Sequence, residues 1–303
     1  MIFAETLLPV TLLQQKSFCL IGVPVVIAPT YVFAAPDIEM WCHAAAALFV
    51  GLDYDGTLVP IAPRSEDARP SMTVLSRLSQ LTQTPTVTVA LVSGRSLAEL
   101  RTLVPIPQMT YVGTHGLEIS TPMGQMPPLV PQGVVSLVMA RLRQDAESLV
   151  AGKVGFFIED KRYAVALHYR LAPQEETDTT ILQFLACVRR YQRQGAALEV
   201  LHGKMVVEVR PVGVNKGKAL QSLLTVGLHR PFPLYIGDDV TDEDAFQSIR
   251  HLGGISIIVA DPPPQHSAAH YYLHDPEEVV RFLTRLLCIR SPFVNRSSLT
   301  APQ

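Results

Sequence analysis

Residues 48–58 read LFVGLDYDGTL, an apolar run with the pattern of a buried strand that ends in two carboxylates, Asp53 and Asp55, followed at once by glycine and threonine. A second apolar run, PLYIGDDVTDEDAF at 233–246, delivers Asp238 and Asp239, with Asp242 close behind. Acids crowded together without a counter-charge repel one another and stay partly protonated. Something positive has to sit among them.

Outward from the first run, 70–83 (PSMTVLSRLSQLTQ) carries apolar residues at helical spacing and 86–95 (TVTVALVSGR) returns to a β-branched strand. A helix in SLAELRTLV and a short strand and turn in MTYVGTHGLEI (109–119) follow. Strand alternating with helix predicts a parallel sheet with crossover helices. The rhythm changes after the loop STPMGQMPP. A helix near 132–150 leads to two close strands, KVGFFIED and RYAVALHYR, and a helix over about 175–194 leads to two more, ALEVLHG and KMVVEVRP. Parallel rhythm resumes with the helix NKGKALQSLLTVG, the strand PLYIGDD, the helix TDEDAFQSI, the strand ISIIVA and a last helix near 276–288. The expected fold class is α/β: a doubly wound parallel-sheet core over 44–119 and 210–290, with an inserted α+β lid at 120–209. Residues 1–43 form an N-terminal extension and 291–303 a polar tail.

The net charge of −2 gives no electrostatic reason to expect nucleic acid or an anionic membrane as partner. Cys19, Cys42, Cys187 and Cys288 are scattered without a CxxC or Cys/His pattern, as in a cytoplasmic protein with reduced thiols. The stretch 17–36, SFCLIGVPVVIAPTYVFAAP, is uncharged and as long as a membrane span. Val32 and Ala34 match the small-residue pattern of a cleaved leader, while Pro24 and Pro29 interrupt the run and Glu5 balances Lys16. A loose extension, an export or anchoring signal, and an over-long start all remain open for it. The expected location is cytoplasmic, with no membrane partner required.

Ligands of open parallel sheets bind beyond the carboxyl ends of the strands. Four polar clusters fall there: Asp53 with Asp55, Ser93, Lys216 leading its helix, and Asp238 with Asp242. Acids with a hydroxyl and a lysine suit a metal and an oxyanion sharing one site. Mg²⁺ prefers such hard oxygen ligands and would neutralise the carboxylates, while Ser93 and Lys216 take the remaining oxygens of a phosphoryl group. Asp53 can attack phosphorus as a nucleophile. Asp55, just beyond it where Gly56 lets the backbone turn sharply, can act as general acid and then base. Asp239 and Asp242 are candidates for the metal's outer shell, although acids in a helix's first turn also offset its dipole.

DYDGTL, VSGR, NKG and GDDVTDEDAF resemble, in order, the four signatures of haloacid dehalogenase (HAD)-type phosphatases. YVGTHGLE, IEDKRYAVALHYRLAP and GKMVVEVRPVGVNKGKAL closely resemble the trehalose-6-phosphate phosphatases, over about residues 46–290. That resemblance implies an HAD-like core with a cap, and Mg²⁺-dependent hydrolysis of trehalose 6-phosphate through an aspartyl-phosphate. It implies metal ligation by Asp53, the backbone carbonyl of Asp55, and Asp238. Glu159, Lys161 and Glu208 would contact sugar hydroxyls, with Arg95, His115, Lys204 and Asn215 as further substrate-binding candidates. Without the resemblance, charges alternating along a hairpin read as a solvated face. Three other activities stay open: a phosphatase for sucrose phosphate or another sugar phosphate, a sugar phosphomutase, and a non-catalytic sugar-phosphate sensor.

Overall fold

Residues 28–127, 129, 132–160, 163–203, 205–225 and 230–290 are described by the structure, a computed structural model. Thr30–Tyr31 (β1) and the helix Asp37–Ala44 (α1) precede the strand Leu48–Leu52 (β2). Next come Met72–Thr82 (α2), Val87–Val92 (β3), Leu97–Leu103 (α3) and Thr110–Gly113 (β4), then two short strands, Glu118–Thr121 (β5) and Gly124–Gln125 (β6). The inserted block holds Gln132–Val150 (α4), Phe157–Asp160 (β7), Val165–His168 (β8), Gln174–Arg193 (α5), Leu198–Gly203 (β9) and Val206–Pro211 (β10). Lys216–Thr225 (α6), Phe232–Gly237 (β11), Glu243–His251 (α7), Ile255–Val259 (β12), Tyr271–Leu273 (β13) and Pro276–Arg290 (α8) complete it.

All five residues of β2 are buried, as a strand covered on both faces requires. Leu48, Val50 and Leu52 point into one apolar layer, with Ile38, Leu78, Leu81, Phe282 and Leu286 from α1, α2 and α8. Phe49 points the other way, among Leu220, Leu224, Phe246 and Ile249 of α6 and α7. This alternation is the two-residue period of a strand made visible. The helices begin at conventional signals. The Ser71 side chain accepts from the Val74 amide at the start of α2, and Ser96 with Glu99 forms a capping box on α3.

The large sheet runs β1-β13-β12-β11-β2-β3-β4-β5-β6. It is parallel from β1 through β4 and antiparallel over β4, β5 and β6. The chain winds outward in both directions from the β11/β2 pair, so the topological switch lies there. A separate antiparallel sheet, β7-β8-β10-β9, backs onto α4 and α5 through Leu142, Val165, Leu167, Phe184, Val207 and Val209. The molecule is thus a mixed α/β fold with a large, mostly parallel sheet and an inserted α+β cap.

The sequence expectation differs from the structure at four short elements. Residues 30–43, assigned to an N-terminal extension, belong to the folded core: β1 pairs in parallel with β13, and Ile38 and Cys42 are buried. A two-residue strand and an eight-residue helix behind a proline are too brief to leave a periodic signal. For the same reason β13 was not anticipated, and β6 was read as loop. Residues 1–27, which include the first part of the apolar stretch 17–36, and the tail 291–303 lie outside the described residues. Among the described residues, no helix is long and apolar enough to cross a membrane.

Candidate active site

At the switch point the Asp53 amide donates to the Ile236 carbonyl at 2.9 Å, fixing the end of β2 against β11. Two glycines let the acids come together. Gly56 has φ +82°, and a Cβ there would sit 2.1 Å from Asp238 Oδ2, so the turn after Asp55 tucks under the Asp238 carboxylate. A Cβ on Gly237 would lie 2.3 Å from the Asp242 carboxyl carbon.

Lys216, the first residue of α6, is 2% exposed and bridges both strands. Its Nζ donates to Asp53 Oδ1 at 2.8 Å and to Asp242 Oδ1 at 2.7 Å. Tyr235 Oη donates to the same Asp242 Oδ1 at 2.5 Å, and the Asp238 and Asp239 amides donate to Asp242 Oδ2 at 3.2 and 3.1 Å. Four donors use up Asp242's acceptor capacity, so it orients Lys216 and the β11 loop. Asp239 caps the following turn, its side chain accepting from the Val240 amide at 2.7 Å. Tyr235 was missed at the sequence level. The available signal was a tyrosine in a buried strand, whose hydroxyl must find a partner.

Ligand oxygens of Asp53, Asp238 and Asp242 lie within 4.8 Å of one another. Burial pushes Asp53 well above the usual carboxylate range, Lys216 pulls it back, and the Asp242 and Asp238 charges push it up again. Asp238 is raised to about 7, by burial first and the Asp242 charge second. Burial alone would lower Lys216, but the Asp242 and Asp53 carboxylates prevail and hold its ammonium above its ordinary value. Three acids facing one ammonium leave the pocket short of positive charge, and its donors are all hard oxygens. A divalent cation fits both facts, with Asp53 and Asp238 as the side chains still able to reach it.

Asp55 lies just before that turn, gripped by Arg95 through a fork of 2.7 Å (Nε to Oδ2) and 2.6 Å (Nη2 to Oδ1). Arg95 also donates to the Ser65 carbonyl and stacks its guanidinium over Tyr54, 5.1 Å from the ring centroid. Arg95, a substrate-binding candidate from the sequence, meets Asp55 here because the VSGR loop leaves β3 directly beside the β2 loop. Ser93 is buried one residue past β3, its Oγ accepting from the Arg95 amide at 3.1 Å.

The lid comes down on this loop. Glu208 of β10 meets His115 Nε2 at 3.0 Å, both nearly buried, and the His115 amide donates to the Ser93 carbonyl at 3.0 Å. Thr114 and His115 hold φ of 48° and 54°, a left-handed pair of non-glycine residues whose strain the surrounding contacts maintain. Glu159 of β7 accepts from His168 Nε2 at 2.8 Å, with about a third of its side chain exposed. Asn215, another substrate candidate, instead caps α6, its Oδ1 accepting from the Lys218 amide at 2.8 Å. Lys161 and Lys204 lie outside the described residues.

A doubly wound core with acids and a lysine at its switch point, covered by an α+β cap, has the architecture of an HAD-type phosphatase. The family profile described as trehalose-phosphatase matches residues 51–277, and the chain belongs to that family; it is a phosphatase, a phosphoric monoester hydrolase. It is 34% identical over 258 residues to a trehalose 6-phosphate phosphatase of Zea mays, covering 78% of this chain and 68% of that protein. It is 38% identical over 251 residues to an uncharacterized glycosyl hydrolase of Mycobacterium tuberculosis, covering 79% of this chain but only 18% of that much longer protein. Its fold matches the C-terminal domain of a C. albicans trehalose-6-phosphate phosphatase with a TM-score of 0.76 at 23% identity, covering 87% of this chain and 99% of that domain.

Proposed function

We propose that this chain hydrolyses trehalose 6-phosphate to trehalose and phosphate, with Mg²⁺ held by Asp53, Asp238 and the backbone carbonyl of Asp55. The observation that carries it is the convergence of Asp53, Lys216 and Asp238 beneath a lid whose inner face presents Glu159 and Glu208. Bound there, the cation neutralises the carboxylates and the charge building on the phosphoryl oxygens. Asp53, aimed by Lys216, attacks phosphorus: an Asp53–phosphorus bond forms as the bond to the sugar's O6 breaks. Asp55 gives its proton to that departing oxygen, for which the Arg95 fork must release one carboxylate oxygen. Asp55 then takes a proton from water, whose oxygen attacks phosphorus, freeing phosphate and restoring the Asp53 carboxylate. Ser93 and Lys216 hold the phosphoryl oxygens, and Asp242 keeps Lys216 in place.

A disaccharide is rich in hydroxyls, and its only charge is the phosphate. Carboxylates on a closing polar face suit it, and closure keeps bulk water from the reacting centre. The test is phosphate release from trehalose 6-phosphate, sucrose 6-phosphate and glucose 6-phosphate, with and without Mg²⁺. Fastest Mg²⁺-dependent turnover of trehalose 6-phosphate is expected. Faster turnover of another sugar, or an isomeric sugar phosphate with no free phosphate, would overturn the assignment.

A further inference from the structure

The lid sheet has one packed and one open face. Ile158, Val165, Leu167, Val207 and Val209 face the helices α4 and α5. Strand alternation and the cross-strand register therefore put Phe157, Glu159, His168 and Glu208 on the opposite face. Glu208 marks where that face looks, since it meets His115 of the core.

On this face, which also carries Ala166 and Val206, Phe157 is a large aromatic side chain 52% exposed. Its ring lies flat on the His168 imidazole, with centroids 4.4 Å apart and planes 1° from parallel. The same imidazole reaches Glu159 Oε2 at 2.8 Å. One histidine thus backs the aromatic ring and steadies the carboxylate beside it. The result is a flat apolar plate, one ring face covered and the other presented, with a hydrogen-bonding carboxylate at its rim.

We propose that Phe157, backed by His168, is a stacking platform for the sugar ring that does not carry the phosphate, and that it selects two-ring over one-ring sugar phosphates. This rests on the assignment of a disaccharide phosphate as substrate. One face of a pyranose is lined with C–H hydrogens of slight positive charge. These match the negative face of an aromatic ring, and their contact removes apolar area from water. Hydroxyls at the pyranose edge meet Glu159 at the same time. Two strand spacings and one two-residue step separate Phe157 from Glu208, about 12 Å between Cα atoms. A single pyranose cannot touch both, whereas a disaccharide with its phosphate in the core can.

The experiment compares wild type, Phe157→Ala and Phe157→Trp on trehalose 6-phosphate, glucose 6-phosphate and p-nitrophenyl phosphate, with melting temperature as the folding control. The alanine variant should raise KM for trehalose 6-phosphate about five- to tenfold, with kcat and both one-ring substrates unchanged. The tryptophan variant should keep KM near wild type. An unchanged KM in the alanine variant, or equal losses on all three substrates, would overturn the platform. Should wild type prefer another two-ring phosphate, the substrate assignment fails by itself, and the platform is judged by the same variants on that preferred substrate: a selective KM rise supports it and none refutes it.

Discussion

Acidification acts first on the Asp238 proton at the proposed cation site. Asp238 is raised to about 7 by burial and by the Asp242 charge, so at about pH 8 it is mostly ionised and at about pH 5 almost wholly protonated. A carboxyl must shed that proton before it can ligate a cation. Each pH unit below 7 weakens binding by about 1.4 kcal/mol, so some two units give about 2.7 kcal/mol, or roughly 100-fold lower apparent Mg²⁺ affinity at pH 5. Asp53, displaced in the same direction, adds to the effect. The metal-free protein should respond with the opposite sign. A carboxyl that binds its proton more tightly when folded stabilises the fold fully below its unfolded value near 3.8, and this stability is lost as pH rises through 7. The assay is the melting temperature titrated with MgCl₂ at the two pH values, reading the midpoint concentration. Equal midpoints, or a pH dependence that persists in full in Asp238→Asn, would refute the reasoning.

Asp53→Asn should abolish phosphate release from trehalose 6-phosphate in a protein whose circular dichroism is unchanged; substantial residual turnover would remove Asp53 as nucleophile. Tyr235→Phe deletes a buried hydroxyl donor to Asp242 and should cost about 1.5–3 kcal/mol of stability in urea unfolding, with a smaller effect on KM than on kcat as Lys216 loosens. Glu208→Ala should lower kcat/KM for trehalose 6-phosphate at least tenfold more than for p-nitrophenyl phosphate, since the proposed role of its carboxylate is to meet sugar hydroxyls that an aryl group lacks.

The long elements and the meeting of Asp53, Asp238 and Lys216 were legible because both rest on strong local patterns. The apolar strands that end in Asp53 and Asp238 announce the switch point, and the adjacent NKG turn brings Lys216 to it. Partners that depend on side-chain reach were not legible. Arg95 lies two residues beyond Ser93 in VSGR, and nothing in that spelling says its guanidinium turns toward Asp55. Asp242 reads as one acid in an acidic first turn. Only the packing of β11 against α6 and α7 distinguishes it, by converging Lys216, Tyr235 and two backbone amides on its carboxylate. Asn215, beside Lys216, is a further case: its side chain caps a helix, a role the NKG spelling does not announce. The segment 30–43 was lost for want of length, although Asp37 and Glu39 behind Pro36 are ordinary helix-start chemistry.

That segment bears on how the protein is best produced. Thr30 and Tyr31 lie along the outer edge of β13, Tyr31 Oη donates to Glu278 of α8, and Arg290 anchors the Cys42 and Ala45 carbonyls. A recombinant product started at the first convenient methionine, Met40, would lose this border and leave β13 as a bare row of amides and carbonyls, open to pairing with a neighbouring copy. Turbidity in such a preparation would reflect where the cloning primer was placed rather than any fragility of the enzyme.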